Sequence, residues 1–348
     1  MRVDIGRAYA AAWRWGRRVP EPLVRAITAV AADVSWLRRG TGVRRLEANL
    51  ARACPDLDAA ALRRLSRAGM RSYLRYFGEA FTLSGRSREQ IRARVAVAHR
   101  EVVQRHLDAG RQVVLALGHL GNWDLAGAWA TRELAPVTTV AERLKPEAVY
   151  QEFLRFREGV GLRIIATEGD GPVFRQLLRV VCAGPGIVPL LADRDLSARG
   201  VEVDLFGRRA RVAAGPAALG VAAGAPVVAT AITYERLRGA RRRAAGTPWG
   251  IRIDFQEVPP PPEGLPPRER VALATQAWTD VLAQAIRRHP QDWHMLQRVF
   301  VEDLDQQRYA ATVAAGEVGA AGETAGETAG ETTVAAAGET ATAQEAAG

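Results

Sequence analysis

Residues 112–124 have the sequence QVVLALGHLGNWD, and this stretch decides the fold class. The run Gln112–Leu117 is almost entirely apolar, which is typical of a strand buried on both faces of a parallel sheet. Gly118–Asn122 follows as a turn, and the residues from Trp123 to Glu133 have a helical pattern. A buried strand, a tight turn and a helix in this order form the repeating unit of α/β folds.

The alternation of strands and helices continues along the chain. Further strands are predicted at residues 137–140, 162–165, 186–191, 201–206, 226–234 and 249–255, with helices at 147–160, 171–182, 215–223 and 265–289. Upstream, apolar residues at helical spacing predict helices over 42–54 and 59–81. We therefore expect an α/β fold with a mostly parallel or mixed central sheet, helices on both faces and an N-terminal helical subregion.

The chain divides into a basic body and an acidic tail. Nine acidic residues and one arginine follow Val301, a net charge of −8, whereas the whole chain of 348 residues carries +10; residues 1–301 therefore carry +18. A body this basic is expected to attract anionic partners. No linker interrupts residues 20–300, so we predict one domain over residues 1–300. Residues 301–348 repeat Gly-Glu-Thr within alanine and lack an apolar face, which predicts a disordered tail.

Composition excludes several classes of protein. With 48% hydrophobic and 25% charged residues, the chain is globular rather than disordered or fibrous. Its two cysteines, Cys54 and Cys182, are far apart and lack metal-ligand spacing, so we predict neither a disulfide framework nor a metal site. No apolar run approaches the roughly 18–20 residues of a membrane-spanning helix. We expect a protein that lies in, or faces, the cytosol.

Residues 5–18 are predicted to form a short helix that could contact a membrane. Tyr9 and Trp13 lie on one side of this helix, and four arginines supply its charge. Aromatic and arginine residues on one small helix are typical of an anchor in a membrane interface. A helix that packs on the body with its arginines in solvent fits the same pattern, and the sequence leaves both interpretations open.

His119 is the strongest candidate for a catalytic residue. It follows the strand with the clearest signal, at the edge where open α/β sheets bind ligands, and Asp124 lies five residues further on. A neutral imidazole can accept a proton from a hydroxyl, while a carboxylate on its other nitrogen fixes the tautomer. No serine or cysteine lies in the motif, so the nucleophile would be a hydroxyl of the substrate. The alternative is a structural histidine beside an aspartate that caps the helix.

A second polar segment follows another predicted strand. Residues 191–200, with the sequence LADRDLSARG, offer two aspartates and two arginines at the carboxyl edge of the sheet. One of the acids could complete a charge relay with the histidine, and the arginines could bind phosphates. A solvated loop with internal ion pairs is the alternative interpretation.

Together these two segments resemble a known family. The motifs GHLGNWD at 118–124, ADRDL at 192–196, GVEVDLFGR at 200–208 and AGPAAL at 214–219 look like those of the lysophospholipid and lipid A acyltransferase superfamily. The segments RSYLRYF at 71–77 and VAERLKP at 140–146 support the resemblance. Within the superfamily, the chain is more similar to the actinobacterial phosphatidylinositol mannoside acyltransferases. The resemblance covers about residues 1–300 and not the tail.

The resemblance implies an activity and a set of catalytic roles. Such enzymes transfer a long acyl chain, typically palmitoyl, from a coenzyme A thioester to a mannose hydroxyl of a phosphatidylinositol mannoside, at the cytosolic face of the plasma membrane. His119 matches the family's general base and Asp124 its partner acid. Asp193 matches a relay acid, with Asp195 and Glu202 as local rivals for that role. Nε2 of His119 would deprotonate the hydroxyl and Asp124 would orient Nδ1–H, with no acyl-enzyme. Acyl-coenzyme A would be the donor substrate, and no permanently bound cofactor is expected.

The candidates for substrate binding are polar residues near the predicted strand ends. Asn122 belongs to the turn whose backbone donors, or else an arginine, would stabilise the oxyanion. Glu142 and Arg143 follow a strand and could line a sugar pocket. Phosphates of the donor or of the head group could be bound by arginines: Arg157, Arg194 and Arg199. An apolar groove beside His119 would hold the acyl chain. Surface ion pairing is the alternative for the charged candidates.

Other functions remain as alternatives at this point. Within the same reaction class, the acceptor could be a lysophospholipid or a glycolipid of the lipid A type. From other classes, the basic body could belong to a nucleic-acid-binding protein or to a catalytically inactive scaffold on a membrane surface. No zinc spacing, recognition helix or RNA-stacking signature is present, so we expect no nucleic-acid partner. The expected partners are acyl-coenzyme A, the mannoside glycolipid and an anionic membrane surface, which the basic body and the N-terminal helix would contact.

Overall fold

The computed structural model of the chain describes residues 19–142, 147–167, 173–197, 199–307 and 309–314. The predicted helix at 5–18, Arg143 and the tail residues 315–348 lie outside this described part. Within it, no helix is both long enough and apolar enough to cross a membrane.

The N-terminal subregion consists of α1 (Glu21–Arg38), α2 (Thr41–Ala53) and α3 (Ala59–Leu83). The carboxylate of Asp58 accepts a hydrogen bond from a backbone N–H in the first turn of α3, which explains why that helix begins there. The helices bury apolar side chains at helical spacing against each other, among them Val43, Leu46, Leu50, Met70 and Tyr73. The predicted helical subregion is therefore confirmed, although α1 was not predicted as a helix.

A buried amide ties this subregion to the far end of the chain. Nδ2 of Asn49, on α2, donates hydrogen bonds to the backbone oxygens of Met295 and Gln297, at 2.8 and 2.9 Å. A buried carbonyl without a donor is costly, so this side chain stabilises an irregular segment that would otherwise leave two of them unpaired.

The α/β body follows the N-terminal helices. Its elements in chain order are α4 (Arg88–Arg94), β1 (Val95–Ala98), α5 (Arg100–Asp108), β2 (Gln112–Leu117), α6 (Trp123–Glu133), β3 (Thr138–Glu142), α7 (Glu147–Gly159), β4 (Arg163–Thr167), α8 (Val173–Val181), β5 (Gly186–Leu191), β6 (Val201–Leu205), β7 (Arg208–Val212), α9 (Gly215–Ala223), β8 (Val227–Arg236), α10 (Gly239–Ala245), β9 (Trp249–Glu257) and α11 (Pro267–Arg288).

The central sheet has the strand order β1-β9-β8-β2-β5. The pairs β1–β9, β8–β2 and β2–β5 are parallel, whereas β8 and β9 are antiparallel. The parallel pair β3–β4 lies beyond β5, to which it is joined by a bridge between Val137 and Ile187. The strands β6 and β7 form a separate antiparallel hairpin. The predicted mixed sheet is therefore confirmed.

The central strand β2 explains why both faces of the sheet are covered. All six of its residues are buried, and alternate side chains point to opposite faces. Val113, Leu115 and Leu117 pack in a cluster with residues of α6. Val114 packs in a second cluster with residues of α8, and Ala116 in a third with residues of α11. Helices thus cover both faces, and the carboxyl end of β2 is held at the centre of the sheet edge.

The elements that were not predicted from the sequence include β7 and α10. β7 begins with two exposed arginines, so it lacks the apolar alternation of a strand. It forms because Phe206 and Gly207 both adopt positive φ, 61° and 78°, in a two-residue turn that folds β7 back on β6. α10 has the sequence GARRRAA, which carries too little apolar periodicity to be recognised as a helix.

The body extends past the boundary predicted at residue 300. Residues Val301–Asp303 form a 3₁₀ turn in which Val301 is buried. Arg52, on α2, donates hydrogen bonds to both carboxylate oxygens of Asp303, at 2.9 and 2.6 Å, and to Glu302 at 2.8 Å. The first acidic residues after the predicted boundary are therefore part of the packed structure.

Candidate active site

The turn between β2 and α6, residues 118–122, is fixed by its own side chains and by its neighbours. Gly121 has a φ of +59°, and a Cβ there would lie 2.4 Å from the backbone oxygen of Ile232, so only glycine lets the turn pass so close to β8. Oδ1 of Asn122 accepts a hydrogen bond from the Leu125 backbone N–H at 2.9 Å and caps α6. Its Nδ2 donates to Glu79 at 2.7 Å. His119 is thus held at the carboxyl end of β2.

A carboxylate from the second polar segment contacts His119. Asp193 follows β5, the neighbour of β2, and its Oδ1 lies 2.5 Å from Nδ1 of His119. Its Oδ2 accepts two hydrogen bonds of 2.9 Å, one from the backbone N–H of His119 and one from the indole N–H of Trp293. Because parallel strands end at one edge of the sheet, two residues far apart in the chain form this buried pair.

The surroundings of Asp193 keep its carboxyl group ionised. Burial opposes ionisation, since only 1% of the residue is exposed. The charge of His119, the hydrogen bonds from its ring and backbone, and the Trp293 indole outweigh burial and hold the pKa of Asp193 below its ordinary value. An ionised carboxylate on Nδ1 fixes the imidazole as the Nδ1–H tautomer, which leaves the basic lone pair on Nε2.

The expectation that Asp124 orients Nδ1–H is wrong in this respect, because Asp193 occupies that position. The Asp124 carboxylate accepts a hydrogen bond from the Tyr76 hydroxyl at 2.7 Å and another from Nε of Arg157 at 2.8 Å. As the second residue of α6, Asp124 lies within the first helical turn, and this places it against α3 and α7. Sequence spacing alone favoured the acid on the same turn over one that lies on another strand.

The Asp124–Arg157 ion pair is almost completely buried. Asp124 is 1% exposed and Arg157 is 5% exposed, and the guanidinium also lies over the ring of Phe153, 4.0 Å from its centroid. Removal of one partner from a buried ion pair destabilises the fold strongly, because the other partner then becomes a less compensated buried charge. The pair therefore joins α6 to α7 and fixes the helix that begins at the turn.

Aromatic rings surround the imidazole of His119. The Trp123 ring meets it edge-on at 5.6 Å, and Tyr76 packs on Trp123 with centroids 4.1 Å apart. A second histidine, His294, lies behind them, 6.2 Å from the Trp123 ring. Burial lowers the pKa of His294 to about 3, together with the charges of Arg75 and His119. The ring of His294 therefore stays neutral at ordinary pH. His119 is the histidine of this cluster that reaches the surface, with 9% exposed.

A mainly apolar cavity opens beside the turn. Its empty volume is about 890 Å³, part of it open to solvent, and it lies between the sheet and the helices α6 and α7. Leu117 and Trp123, which flank the turn, contribute to its wall. The remaining wall is largely apolar and includes Ala130, Val140, Phe153, Leu162, Ile187 and Phe255.

The other predicted residues occupy varied positions. Asn122 is fully buried, and its amide serves the turn and Glu79. Arg194, on the loop after Asp193, donates from Nε to the backbone oxygen of Arg298 at 3.1 Å. Arg199 is exposed on the same loop. Glu142 ends β3, but its side chain is outside the described part of the structure, as is all of Arg143.

The two rivals of Asp193 have other partners. Oδ1 of Asp195 accepts a hydrogen bond from the Ser197 backbone N–H at 2.8 Å, and it therefore shapes its own loop. Glu202 forms an ion pair with Arg209 across the β6–β7 hairpin. Of these three acids, Asp193 is the one bonded to His119. In the described ranges, no group of three or more His, Cys, Asp or Glu side chains is placed to hold a metal ion.

Several residues of the site were missed by the sequence analysis. Trp293 and His294 follow the last long helix, and Tyr76 and Glu79 lie on α3. Their partners in the site lie at least 43 residues away in the chain, so no local spacing could reveal them. The RSYLRYF stretch, which supports the family resemblance, does contain Tyr76, and it was the available signal.

The structure predicts that Asp124 stabilises the fold through its ion pair with Arg157. The free energy of unfolding tests this role. Replacing Asp124 by Asn removes the buried carboxylate that lies 2.8 Å from Nε of Arg157, and we expect a loss of about 3–5 kcal/mol in the free energy of unfolding. Urea unfolding followed by circular dichroism measures this loss.

Asp33→Asn is the matched control for that measurement. Asp33 also binds two arginines, Arg67 and Arg71, but at the surface, where both guanidinium groups are almost half exposed. Surface ion pairs contribute little, so we expect a change below about 1 kcal/mol. Equal, small losses for the two variants would contradict a supporting role for the Asp124–Arg157 pair.

Comparison with known proteins places the chain in a family. The family described as bacterial lipid A biosynthesis acyltransferase matches residues 3–302. A phosphatidylinositol mannoside acyltransferase of Mycolicibacterium smegmatis (strain ATCC 700084 / mc(2)155) is 37% identical over 309 residues, which cover 88% of this chain and 94% of that protein. A protein of the same name from Mycobacterium tuberculosis (strain CDC 1551 / Oshkosh) is 38% identical over 312 residues, or 87% and 90% of the two chains. On these matches, the chain belongs to the bacterial lipid A biosynthesis acyltransferase family.

Proposed function

We propose that the protein transfers a long acyl group, such as palmitoyl, from acyl-coenzyme A to a mannose hydroxyl of a phosphatidylinositol mannoside. The observation that carries the proposal is the buried His119–Asp193 pair at the carboxyl end of β2, with an apolar cavity beside the turn that bears His119. Family membership supports the acyl-transfer reaction. The names of the two mycobacterial relatives support this acceptor.

In the proposed reaction, the acyl group passes directly from the thioester to the hydroxyl. Nε2 of His119 accepts the hydroxyl proton while the hydroxyl oxygen attacks the thioester carbonyl. The tetrahedral intermediate then collapses, the C–S bond breaks, and the imidazolium returns the proton to the departing thiolate. Asp193 stabilises the imidazolium between these two transfers, as the buried aspartate does in a serine protease. The products are an ester and free coenzyme A, and no acyl-enzyme forms.

The turn geometry bears on which group would stabilise the oxyanion, a backbone N–H of the turn or an arginine. The backbone N–H groups of His119, Leu120 and Gly121 already donate to Asp193, Gly118 and Asp292, respectively, at 2.7–3.0 Å. An N–H that serves a protein acceptor is not preorganised for a developing oxyanion. This favours the other alternative, an arginine, as the group that would stabilise the negative charge.

The cavity is proposed to hold the acyl chain. It lies against the apolar face of β2 and next to Trp123, so a thioester at its mouth would place its carbonyl near His119. Arg194 and Arg199, on the loop that follows Asp193, are proposed to bind phosphates of the donor or of the lipid head group. Glu142 and Arg143 stay candidates for the sugar pocket on the grounds of their position after β3.

Peripheral binding to the cytosolic face of the plasma membrane is proposed from the surface of α1. Leu23, Ile27, Val30 and Leu37 lie on this helix at spacings of three, four and seven residues and are 52–66% exposed. An apolar stripe on an exposed helix fits a membrane interface.

A second surface adds positive charge beside α1. The hairpin between β8 and β9 continues six residues beyond the end of the β2 pairing and carries exposed arginines: Arg236, Arg238, Arg241, Arg242 and Arg243. Residues of α1 and of this hairpin line one small pocket. Arginines next to an apolar stripe suit an anionic lipid surface. The hairpin projects from the sheet edge that bears His119, so lipid acceptors would meet the active site there.

The catalytic proposal predicts different effects for the two aspartates. His119→Ala should lower kcat by at least about 100-fold, because positioned proton transfer contributes about 10²–10⁴-fold. Asp193→Asn should cause a comparable loss, whereas Asp124→Asn should lower the amount of folded protein more than the kcat of the folded fraction. The assay follows thiol release and acylated lipid together, with palmitoyl-coenzyme A and phosphatidylinositol mannoside in detergent micelles.

The acceptor is tested in the same assay. Lysophospholipid and a lipid A-type glycolipid replace the mannoside in parallel reactions, and transfer to the mannoside should be the fastest. Faster transfer to one of the other acceptors would reassign the substrate and keep the reaction. Thiol release without acylated lipid from any acceptor, or a fully active His119→Ala variant, would contradict the proposal.

The cavity predicts control over acyl-chain length. Ala130 lines the cavity, and Ala130→Phe should shift the preference toward shorter donors by filling part of that space. Arg132→Phe introduces the same side chain at an exposed position of the same helix and should leave the preference unchanged. Competition between decanoyl- and palmitoyl-coenzyme A measures the ratio of kcat/KM values. An unchanged ratio in a folded Ala130→Phe variant would show that the acyl chain lies elsewhere.

The α1 stripe predicts binding to vesicles. Ile27→Glu combined with Val30→Glu should lower the affinity for phosphatidylglycerol-containing vesicles by about 100-fold, as measured by sedimentation. Each apolar side chain that is buried in the membrane contributes about 1.5–3 kcal/mol to binding. Leu273→Glu changes a leucine on α11 that is 48% exposed, and it should have little effect. Equal binding of the two variants would exclude α1 as the contact surface.

A further inference from the structure

The segment Asp292–His294, which we call the 292–294 segment, forms a second support for the site. Its backbone lies against the turn that carries His119: the Gly121 N–H donates to the Asp292 oxygen at 3.0 Å, and the His294 N–H donates to the His119 oxygen at 2.7 Å. Between these two bonds, Trp293 forms an antiparallel bridge with Leu120. The segment therefore fixes the backbone on both sides of the histidine.

The segment is itself anchored from two other elements. Oδ1 of Asp292 accepts a hydrogen bond from the Ser72 hydroxyl on α3 at 2.9 Å. Its Oδ2 accepts one from the Tyr234 backbone N–H on β8 at 2.8 Å. These bonds are buried, so they are strong constraints on the position of the backbone. The Asp292 side chain, held at both carboxylate oxygens, therefore has little freedom to move.

The side chain of Trp293 reaches the carboxylate of the dyad from this anchored backbone. The residue is completely buried, and its ring packs edge-on against Phe206 at 5.8 Å. Its indole N–H donates to Oδ2 of Asp193 at 2.9 Å, opposite the oxygen that contacts Nδ1 of His119. Rotation of the carboxylate would break this bond together with the one from the His119 backbone.

We propose that Trp293 is a positioning residue for the His119–Asp193 pair: its indole N–H locks the carboxylate in the orientation that presents Oδ1 to the imidazole. The inference rests on the proposed function for its kinetic consequences. The geometric part of the inference is independent of the proposed function, because the indole N–H orients the carboxylate in the free protein, before any substrate binds. A tryptophan N–H can only donate, so this contact also favours the ionised carboxylate over the protonated one.

Trp293→Phe isolates the hydrogen bond from the packing. Phenylalanine keeps an aromatic ring in the same place and removes the donor. The matched control is Trp278→Phe, because Trp278 is also completely buried but its indole N–H has no hydrogen-bond partner among the residues that the structure describes. Both variants lose the same atoms from the same apolar cluster, and only Trp293→Phe loses a contact with the dyad. Urea unfolding of both variants shows that the comparison is between folded proteins.

The first readout is kinetic. We expect Trp293→Phe to lower kcat by about 10- to 100-fold, the effect of losing a hydrogen bond to a charged group, while KM stays within about twofold. The carboxylate that loses a donor attracts the Nδ1 proton more strongly and favours the protonated imidazole. The acidic limb of the kcat/KM profile should therefore move to higher pH.

The charged and titratable groups around the dyad allow this pH readout. His294 stays neutral because burial, Arg75 and His119 lower its pKa to about 3. Burial raises the pKa of Asp292 despite its bonds to Tyr234 and Ser72, and this carboxyl group faces away from the imidazole toward those partners. The control Trp278→Phe should leave both kcat and the position of the limb unchanged.

The second readout does not depend on activity. The Nδ1 proton of His119 should give a low-field proton NMR signal that His119→Ala removes, because it lies in a short hydrogen bond to Asp193. Trp293→Phe should shift or broaden this signal, and Trp278→Phe should not. Identical kinetics and identical signals for the two variants would overturn the inference. A shifted signal in a protein that transfers no acyl group would support the positioning role and would refute the proposed function instead.

Discussion

The ionised carboxylate of Asp193, buried and held by three N–H donors, is the constraint on which the site depends. A carboxylate in a low-dielectric interior is unstable unless its oxygens are satisfied, and here a turn, a ring and a separate segment each supply a donor. Two of the three donors belong to His119, in the turn that follows β2, and the third belongs to Trp293, in the chain beyond α11. Folding of the whole body is therefore required before the pair can form, and the local motif around His119 is insufficient by itself.

Two buried acids with different partners divide the work of the site. Asp193 faces the imidazole, so its attraction to the ring would strengthen when His119 is protonated. Asp124 faces Arg157 and Tyr76, so its charge is compensated at all times and serves the junction of α6 with α3 and α7. A base needs a partner whose interaction changes when the proton arrives, whereas a scaffold needs one that does not change. This difference in partners fits the two different roles that are proposed for the aspartates.

The sequence predicted the features that depend on local pattern. The apolar run of β2 identified the central strand, and the carboxyl edge rule then located both His119 and the loop with Asp193. The sequence could not show whether Asp124 or Asp193 contacts Nδ1 of His119, because the answer depends on which strand lies beside β2. Pairing order in a sheet is a long-range property, and the spacing of five residues pointed to the wrong acid. Trp293 was missed for the same reason, since it lies 100 residues from the carboxylate it contacts.

The arrangement of surfaces also follows from the sheet. Parallel strands direct β2 and β5 toward one edge, and β8 carries the arginine-rich hairpin beyond that edge. The apolar cavity lies under the same edge, between α6 and α7. An acyl chain could therefore enter the protein interior while a charged head group stays outside among arginines, with the reacting carbonyl at the boundary. In the proposed reaction, the apolar part of the substrate would lie on the cavity side of this edge and the ionic part among the arginines, with His119 at the end of β2 between them.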